Sequence, residues 1–248
     1  MRAPPEARRW TRHLVYRSER ARTTWRFRLG LILLVGAALW LTRGWWTVSI
    51  ASSLVCEADG APSDAILVEN FDPDYRVFER AAALRRAGVA TRVLVPVITD
   101  PDGGEPEAVA IGEAKLMAAA ARLGPIEVVP ARTLEPISLN VARDVLHALQ
   151  RDRVRSVTVV TPLFRSRRSA LVYGATFGRA GITVRCEPVR GTQGVDTWTR
   201  TWHGVQDVLE QWVKLQYYRL YVLPFHGSSR LLSPSPAPEH GVPAPRGS

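Results

Sequence analysis

Only two cysteines, Cys56 and Cys186, occur in the 248 residues. Two thiolates alone cannot complete a zinc site, which takes four ligands in its structural form. In an oxidising compartment they could pair as one disulfide. Separate buried thiols are the commoner outcome for two unrelated cysteines, and are the expectation here. Histidine is scarce as well: of the five present, His13 precedes the first apolar run, and His226 and His240 flank or occupy the tail. His147, four residues after Arg143 on one helix face, and His203 remain, and a structural or surface role is expected for both. The chain has no P-loop, no Gly-x-Gly-x-x-Gly after its first strand, no Gly-x-Ser-x-Gly elbow and no His-rich metal cluster. The cofactor is left open, and no metal is expected.

Acidic charge is sparse at the amino terminus. Residues 1–28 carry nine arginines against Glu6 and Glu19, so most of the net charge of +10 sits there and the rest of the chain holds +3. The high pI therefore describes a basic segment rather than the folded domain, and nucleic acid is not an expected partner. A charge-free apolar run follows from Leu29 to Leu41. As a helix it covers about 20 Å, short of a hydrocarbon core of roughly 30 Å. Extended to Ile50 it reaches about 33 Å, with Arg43 close enough to the far end to snorkel outward. Trp25 on one side and Trp40, Trp45 and Trp46 on the other suit the interfacial belts of a lipid bilayer. An uncleaved anchor over 29–50 is expected, with 1–28 as a basic cytoplasmic segment and the remainder outside. The competing reading is a signal sequence, with Ala51-Ser52-Ser53 offering small residues for cleavage.

Glu57 to Ser63 reads as a linker, and 62–225 as an α/β domain with a mainly parallel, Rossmann-like sheet in three layers. Asp64–Val68, Thr91–Val95, Ile126–Val129, Ser156–Val160 and Ile182–Cys186 read as its strands, the second ending before Pro96-Val97-Ile98. Arg76–Ala87 reads as an amphipathic helix with Gly88 as C-cap, and Glu107–Leu123 as an alanine-rich helix. Asp100-Pro101-Asp102-Gly103-Gly104 is a solvated turn. Trp198–Val222 reads as one long helix. Its stripe of Trp202, Val205, Val208, Leu209, Trp212, Leu215 and Tyr218 is expected in the core, with contact to a bilayer surface the weaker alternative. Proline, serine and glycine dominate 226–248, which reads as a disordered tail.

The stretch from Thr133 to Gly181 carries the chemistry. Ser156–Val160 is a β-branched run that breaks at Thr161-Pro162 into a helix opening with Arg165, Arg167 and Arg168. Cations at a helix amino end are locally unfavourable, and a bound phosphate or carboxylate would reverse that cost. Glu69 and Asn70 at the end of the first strand, and Glu135, Ser138 and Asn140 ahead of a helix, converge at the same sheet edge. Ser138 could equally be a plain N-cap.

Two segments, Glu135-x-x-Ser138-x-Asn140 opening a helix and Val160-Thr161 followed by Phe164 and Arg168, resemble signatures of the YdcF/SanA/ElyC-like family of bacterial envelope-associated domains. The likeness runs from Asp64 to Trp198 and the Glu210–Tyr218 helix. Departures are plain. Glu69-Asn70-Phe71 replaces glycines, Pro96-Val97-Ile98 replaces a serine–glycine turn, and Val141, Arg143 and Asp144 replace Thr, Glu and Asn. Arg165 stands where His is usual, which removes a residue suited to proton transfer near neutral pH.

The resemblance implies an envelope-biogenesis role in the inner membrane. The residues add an anionic, lipid-linked or phosphorylated small molecule as ligand, clamped by Arg165 and Arg168 with Asn70, Ser138, Asn140 and Thr161 beside them. A hydrolase or transferase using Glu69 or Glu135 as general base, and a non-catalytic membrane scaffold, stay open as alternatives.

Overall fold

The computed structural model describes residues 25–71, 74–99, 108–132 and 134–226. The basic segment through residue 24, the Asp100–Gly104 turn, Thr133 and the tail from residue 227 lie outside the described residues. The chain divides into two units, residues 1–45 and 46–248.

In the first unit, Trp25–Leu41 forms helix α1, which starts earlier than the expected Leu29 and buries none of its side chains. Helix α2, Arg43–Ser52, most of it in the second unit, follows a break at Thr42, whose hydroxyl donates to the Ala38 carbonyl at 2.7 Å. Such back-bonding by threonine bends helices. The continuous helix expected through Ile50 is therefore two helices. Among the described residues no single helix is long and apolar enough to cross a membrane, whereas α1 and α2 together pass by length and composition, bent at their break.

The second unit is built on five parallel strands: β1 Ala65–Val68, β2 Arg92–Thr99, β3 Glu127–Arg132, β4 Ser156–Pro162 and β5 Thr183–Val189. Their order is β3-β2-β1-β4-β5. Every residue of β1 is buried, because helices cover both faces of the sheet. Such strands read as continuous apolar runs without alternation. Helices α3 (Tyr75–Arg86) and α4 (Ala108–Ala120) pack with Ile66, Val68, Val93 and Val95 on one face. Helices α5 (Ile137–Arg151) and α6 (Ser166–Phe177) pack with Leu67, Leu94, Val157 and Val159 on the other. The architecture is a Rossmann-like three-layer α/β fold. Its strand order reverses between β1 and β4, and a crevice opens there at the carboxyl ends.

Pro96 does not end β2. The β1 ladder stops at Leu94, and beyond it β2 continues paired with β3 alone. Pro96 is thus locally on an edge, where proline is tolerated. Gly88 sits at φ +78 just past α3, with Gly88 N–H donating to Arg85 and Val89 N–H to Leu84, which closes the helix end.

Asp64 fastens β1 to β4. Its carboxylate accepts from the Arg155 and Ser156 amides at 2.8 and 2.9 Å. The Arg155 amide, aided by the backbone and hydroxyl of Ser156, holds the Asp64 carboxyl below its ordinary value. A depressed carboxyl stabilises the fold above its unfolded pKa of about 3.9, and this contribution fades as pH falls through the lower folded value. The stability difference between wild type and Asp64→Asn is accordingly expected to be largest near neutrality and to close in acid, as measured by chemical unfolding across pH.

The cysteine expectation is corrected in this unit as well. Cys56 and Cys186 are joined in a disulfide with Cα atoms 6.3 Å apart. Their separation along the chain hides this, because residues 46–56 pack within the second unit and carry Cys56 to β5. Ala51 and Leu54 enter a third apolar cluster with Phe164, Trp198, Val208 and Leu215, and the Trp198 indole donates to the Thr47 carbonyl at 3.1 Å.

The long carboxy-terminal helix is also interrupted. A 3₁₀ turn, Trp198–Arg200, precedes α7 (Trp202–Tyr217), a π turn spans Tyr218–Val222, and α8 is Leu223–His226. Thr201 caps α7 by accepting from Gly204 N–H. The buried stripe is Gly204, Val208, Gln211, Leu215, Tyr218 and Val222, while Trp202, Leu209 and Trp212 are exposed. A Cβ on Gly204 would lie 2.3 Å from the Trp198 carbonyl oxygen. Gly204→Ala is therefore expected to cost about 1–3 kcal/mol or more through overpacking, seen as a lower midpoint of urea unfolding.

Candidate functional site

The crevice between the carboxyl ends of β1 and β4 is organised by α6. Arg165, in the 3₁₀ turn Leu163–Arg165 just ahead of α6, is followed by Arg168 and Ser169 three and four residues on and by Tyr173 four beyond Ser169, so one face of a buried helix is polar. Arg165 and Arg168 are only 9% and 7% exposed. The Arg165 guanidinium lies 5.6 Å from the Phe71 ring centre, and that of Arg168 5.6 Å from the Tyr218 ring centre. Burial, together with the neighbouring Arg165 charge, holds Arg168 below its ordinary value. Its Nε is buried with no hydrogen-bond partner among the described residues.

Glu69, 3% exposed, is the carboxylate inside this cluster. It accepts from the Thr161 hydroxyl and from the Ser169 hydroxyl at 2.7 Å. Burial and the Glu69 charge push the Tyr173 phenol well above its ordinary value, so that it stays neutral. The charges of Glu69 and Glu210 act on Arg168 against the repulsion of Arg165 in this desolvated setting.

Beside the arginines is a cavity of about 390 Å³ lined by Phe71, Glu135, Ser138, Arg165, Arg168 and Tyr218, among others. Of the residues singled out in the sequence, Glu135, Ser138, Arg165 and Arg168 meet at this cavity. Glu135 is exposed on its rim. Glu69, Asn70, Asn140 and Thr161 do not line it. Asn140 is engaged within its own turn, donating to the Leu134 carbonyl at 2.9 Å and accepting from Arg143 at 3.0 Å. The amide oxygen of Asn70 is buried without a partner among the described residues, at the end of β1.

Ser138 is not the N-cap. Pro136, preceded by a cis peptide bond, holds that position, and Ser138 N–H donates to the Tyr218 hydroxyl at 3.1 Å. The amino end of α6 is likewise not open to an anion. Arg167 N–H donates to the Leu54 carbonyl at 2.9 Å, and the Ser166 hydroxyl accepts from Cys56 N–H at 3.0 Å. The chain plugs its own helix terminus, so any anion here is met by side-chain guanidiniums rather than by backbone N–H groups. Arg167 itself is exposed, as are His147 and His203.

Sequence reasoning passed over Ser169, Tyr173 and Phe71. The signal for the first two was their spacing of four behind Arg165 and Ser169 on a helix whose buried face should otherwise be apolar.

No protein-family model and no curated protein matches the chain. Among solved structures, one described as the crystal structure of universal stress protein in complex with cAMP is similar at 15% identity and a TM-score of 0.35, covering 52% of this chain and 99% of that one.

Proposed function

We propose that this chain is a membrane-anchored envelope-biogenesis factor that binds an anionic or phosphorylated envelope precursor at the carboxyl edge of its sheet. The observation that carries the reading is the desolvated pair Arg165 and Arg168 on a cavity of about 390 Å³, with Glu69 as the carboxylate among them. A bound phosphate accepts from the guanidinium forks. Phe71 stacks on Arg165 and Tyr218 on Arg168, which limits the rotation of both guanidiniums.

Localisation rests on separate grounds. α1 and α2 together have the length and composition of a span, and the arginine-rich flank of 1–28 stays inside. The Cys56–Cys186 disulfide supports a domain outside the cytoplasm, where such bonds persist. The envelope role follows from the resemblance to the YdcF/SanA/ElyC-like domains.

Turnover of the same ligand is a second reading, favoured by the solvent-facing Glu135 on the cavity rim. Glu69 suits it less, since two hydroxyls already donate to its carboxylate.

A thermal-shift screen of the full chain in detergent tests the binding reading. Inorganic phosphate, prenyl phosphates, nucleotides and S-adenosylmethionine are the ligands. A phosphorylated class at about a hundred times its dissociation constant is expected to add about 2.7 kcal/mol. Equal shifts in Arg168→Gln, or no shift in wild type, would count against it and favour a scaffold.

A further inference from the structure

The outward face of α7 and of the turns after it is apolar. Trp202, Leu209, Val213 and Leu220 follow one another at spacings of seven, four and seven, which aligns them along one side of a helix. Gln206 and Gln216 fill the gaps on that line, so no charge interrupts it. This side lies opposite the buried stripe, and Trp202 and Leu220 are 74% and 68% exposed. Exposed Trp212 flanks it on one margin and exposed Tyr217 on the other. A helix apolar on both faces is normally covered on both. An exposed apolar patch of this kind marks a surface for protein or membrane.

Two features favour the membrane. The first is width. A partner helix seals a narrow seam of about two positions in seven. Here the apolar arc runs on past the central line: Tyr217 stacks on Tyr221 with ring centres 5.5 Å apart, and Tyr221 meets Phe225 at 5.4 Å. Such an arc fits a plane better than a rod. Tryptophan and tyrosine at its margins have the apolar body and polar tip of bilayer-interface residues. The second feature is the path of the chain. The apolar run ends at Leu41, and the second unit opens at Trp46. Within that unit Thr47 already accepts from the Trp198 indole, and Ala51 and Leu54 pack with Val208 and Leu215 of α7. A bilayer that takes up the run is thus a short length of chain from this helix.

We infer that the outward face of α7, with the π turn and α8, rests on the surface of the bilayer, its aromatic margin among the lipid headgroups. This rests on the membrane-anchored reading above, and gives the domain a second contact with the membrane besides the span. Arg200 and Arg219, exposed beside the face, are cations from which lipid phosphates accept. Tyr217 also lines the cavity of the arginine pair, so the docked face brings that cavity to the headgroup layer.

The test is spin-label accessibility in the full chain, reconstituted in vesicles of phosphatidylcholine and phosphatidylglycerol. Cys56 and Cys186 are bonded to each other, so a cysteine introduced by Leu209→Cys, Val213→Cys or Leu220→Cys is the sole thiol to label. All three positions are exposed, so the fold tolerates the label. Labels on the face are expected to collide more with oxygen, which concentrates in lipid, than with a water-soluble nickel chelate. At exposed Arg86→Cys on α3 the order is expected to reverse. Leu33→Cys in α1 reports the span separately. Nickel access at the face, with lipid exposure at Leu33→Cys, overturns the docking alone. Shielding of the face from both reagents means that protein covers it, a second copy included, and overturns the docking as well. Nickel access both at Leu33→Cys and at the face overturns the anchored reading, and the docking with it.

Discussion

Serine at both Cys56 and Cys186 is expected to lower the stability of the domain by about 2–5 kcal/mol, more than any other substitution proposed for this chain. The two residues are 130 apart in sequence, so the bond closes a loop spanning most of the sheet. A loop of about that length restricts the unfolded chain by roughly 4–5 kcal/mol in the entropic account. The bond also holds residues 46–56 against the domain. Leu54 is buried beside Phe164 and Leu215, and its carbonyl receives Arg167 N–H at the start of α6. Loss of the disulfide is therefore expected to loosen the helix that carries Arg168 and the turn ahead of it that carries Arg165. Urea unfolding of the full chain, oxidised and after reduction, measures the effect, with the double serine variant as reference. A shift below about 1 kcal/mol would mean that packing alone seats the segment.

The second large effect is on binding. Arg168→Gln is expected to weaken phosphate binding about 30- to 140-fold, the equivalent of losing about 2–3 kcal/mol of charge-assisted hydrogen bonding. Its effect on stability is expected to be opposite in character. Arg168 is desolvated, it is repelled by Arg165, and its Nε has no partner among the described residues. Replacing it with a neutral side chain relieves these costs while giving up the attraction of Glu69. Stability should remain within about 1 kcal/mol of wild type, or rise. A residue that costs stability and supports binding is the signature of a functional site. If Arg168→Gln unfolds the domain with no effect on ligand affinity in the folded fraction, the arginine is structural.

Much of the fold was legible because its physics is local. Ser156–Val160 and Asp64–Val68 are unbroken apolar or β-branched runs, and burial on both faces of a parallel sheet demands such runs. Strand ends were less legible. Pro96 on its own signals a break, yet β1 has already left the ladder at that point and its missing N–H is not needed. Non-local features were out of reach. Nothing near Cys56 in sequence announces β5, and the pairing depends on how residues 46–56 pack within the second unit.

The carboxy-terminal helix misleads through size. Trp202, Leu209 and Trp212 draw attention as apolar bulk, whereas the buried stripe is marked by Gly204 and Gln211, one suited to close approach and the other polar. The arginine cluster was legible as a broken rule, cations at a helix amino end. Glu69 was read at the same edge, but its contact with Ser169 and the plugging of α6 by Leu54 exist only once the strands and residues 46–56 are brought together.

The central claim, that Arg165 and Arg168 hold an anion at the carboxyl edge of the sheet, is tested most directly by phosphorus NMR of pyrophosphate titrated with the full chain in detergent. The account predicts a saturable shift and broadening with wild type that is strongest at low salt, weakened at high salt and lost in Arg168→Gln. An identical response from Arg168→Gln, or no response from wild type at low salt, would contradict it.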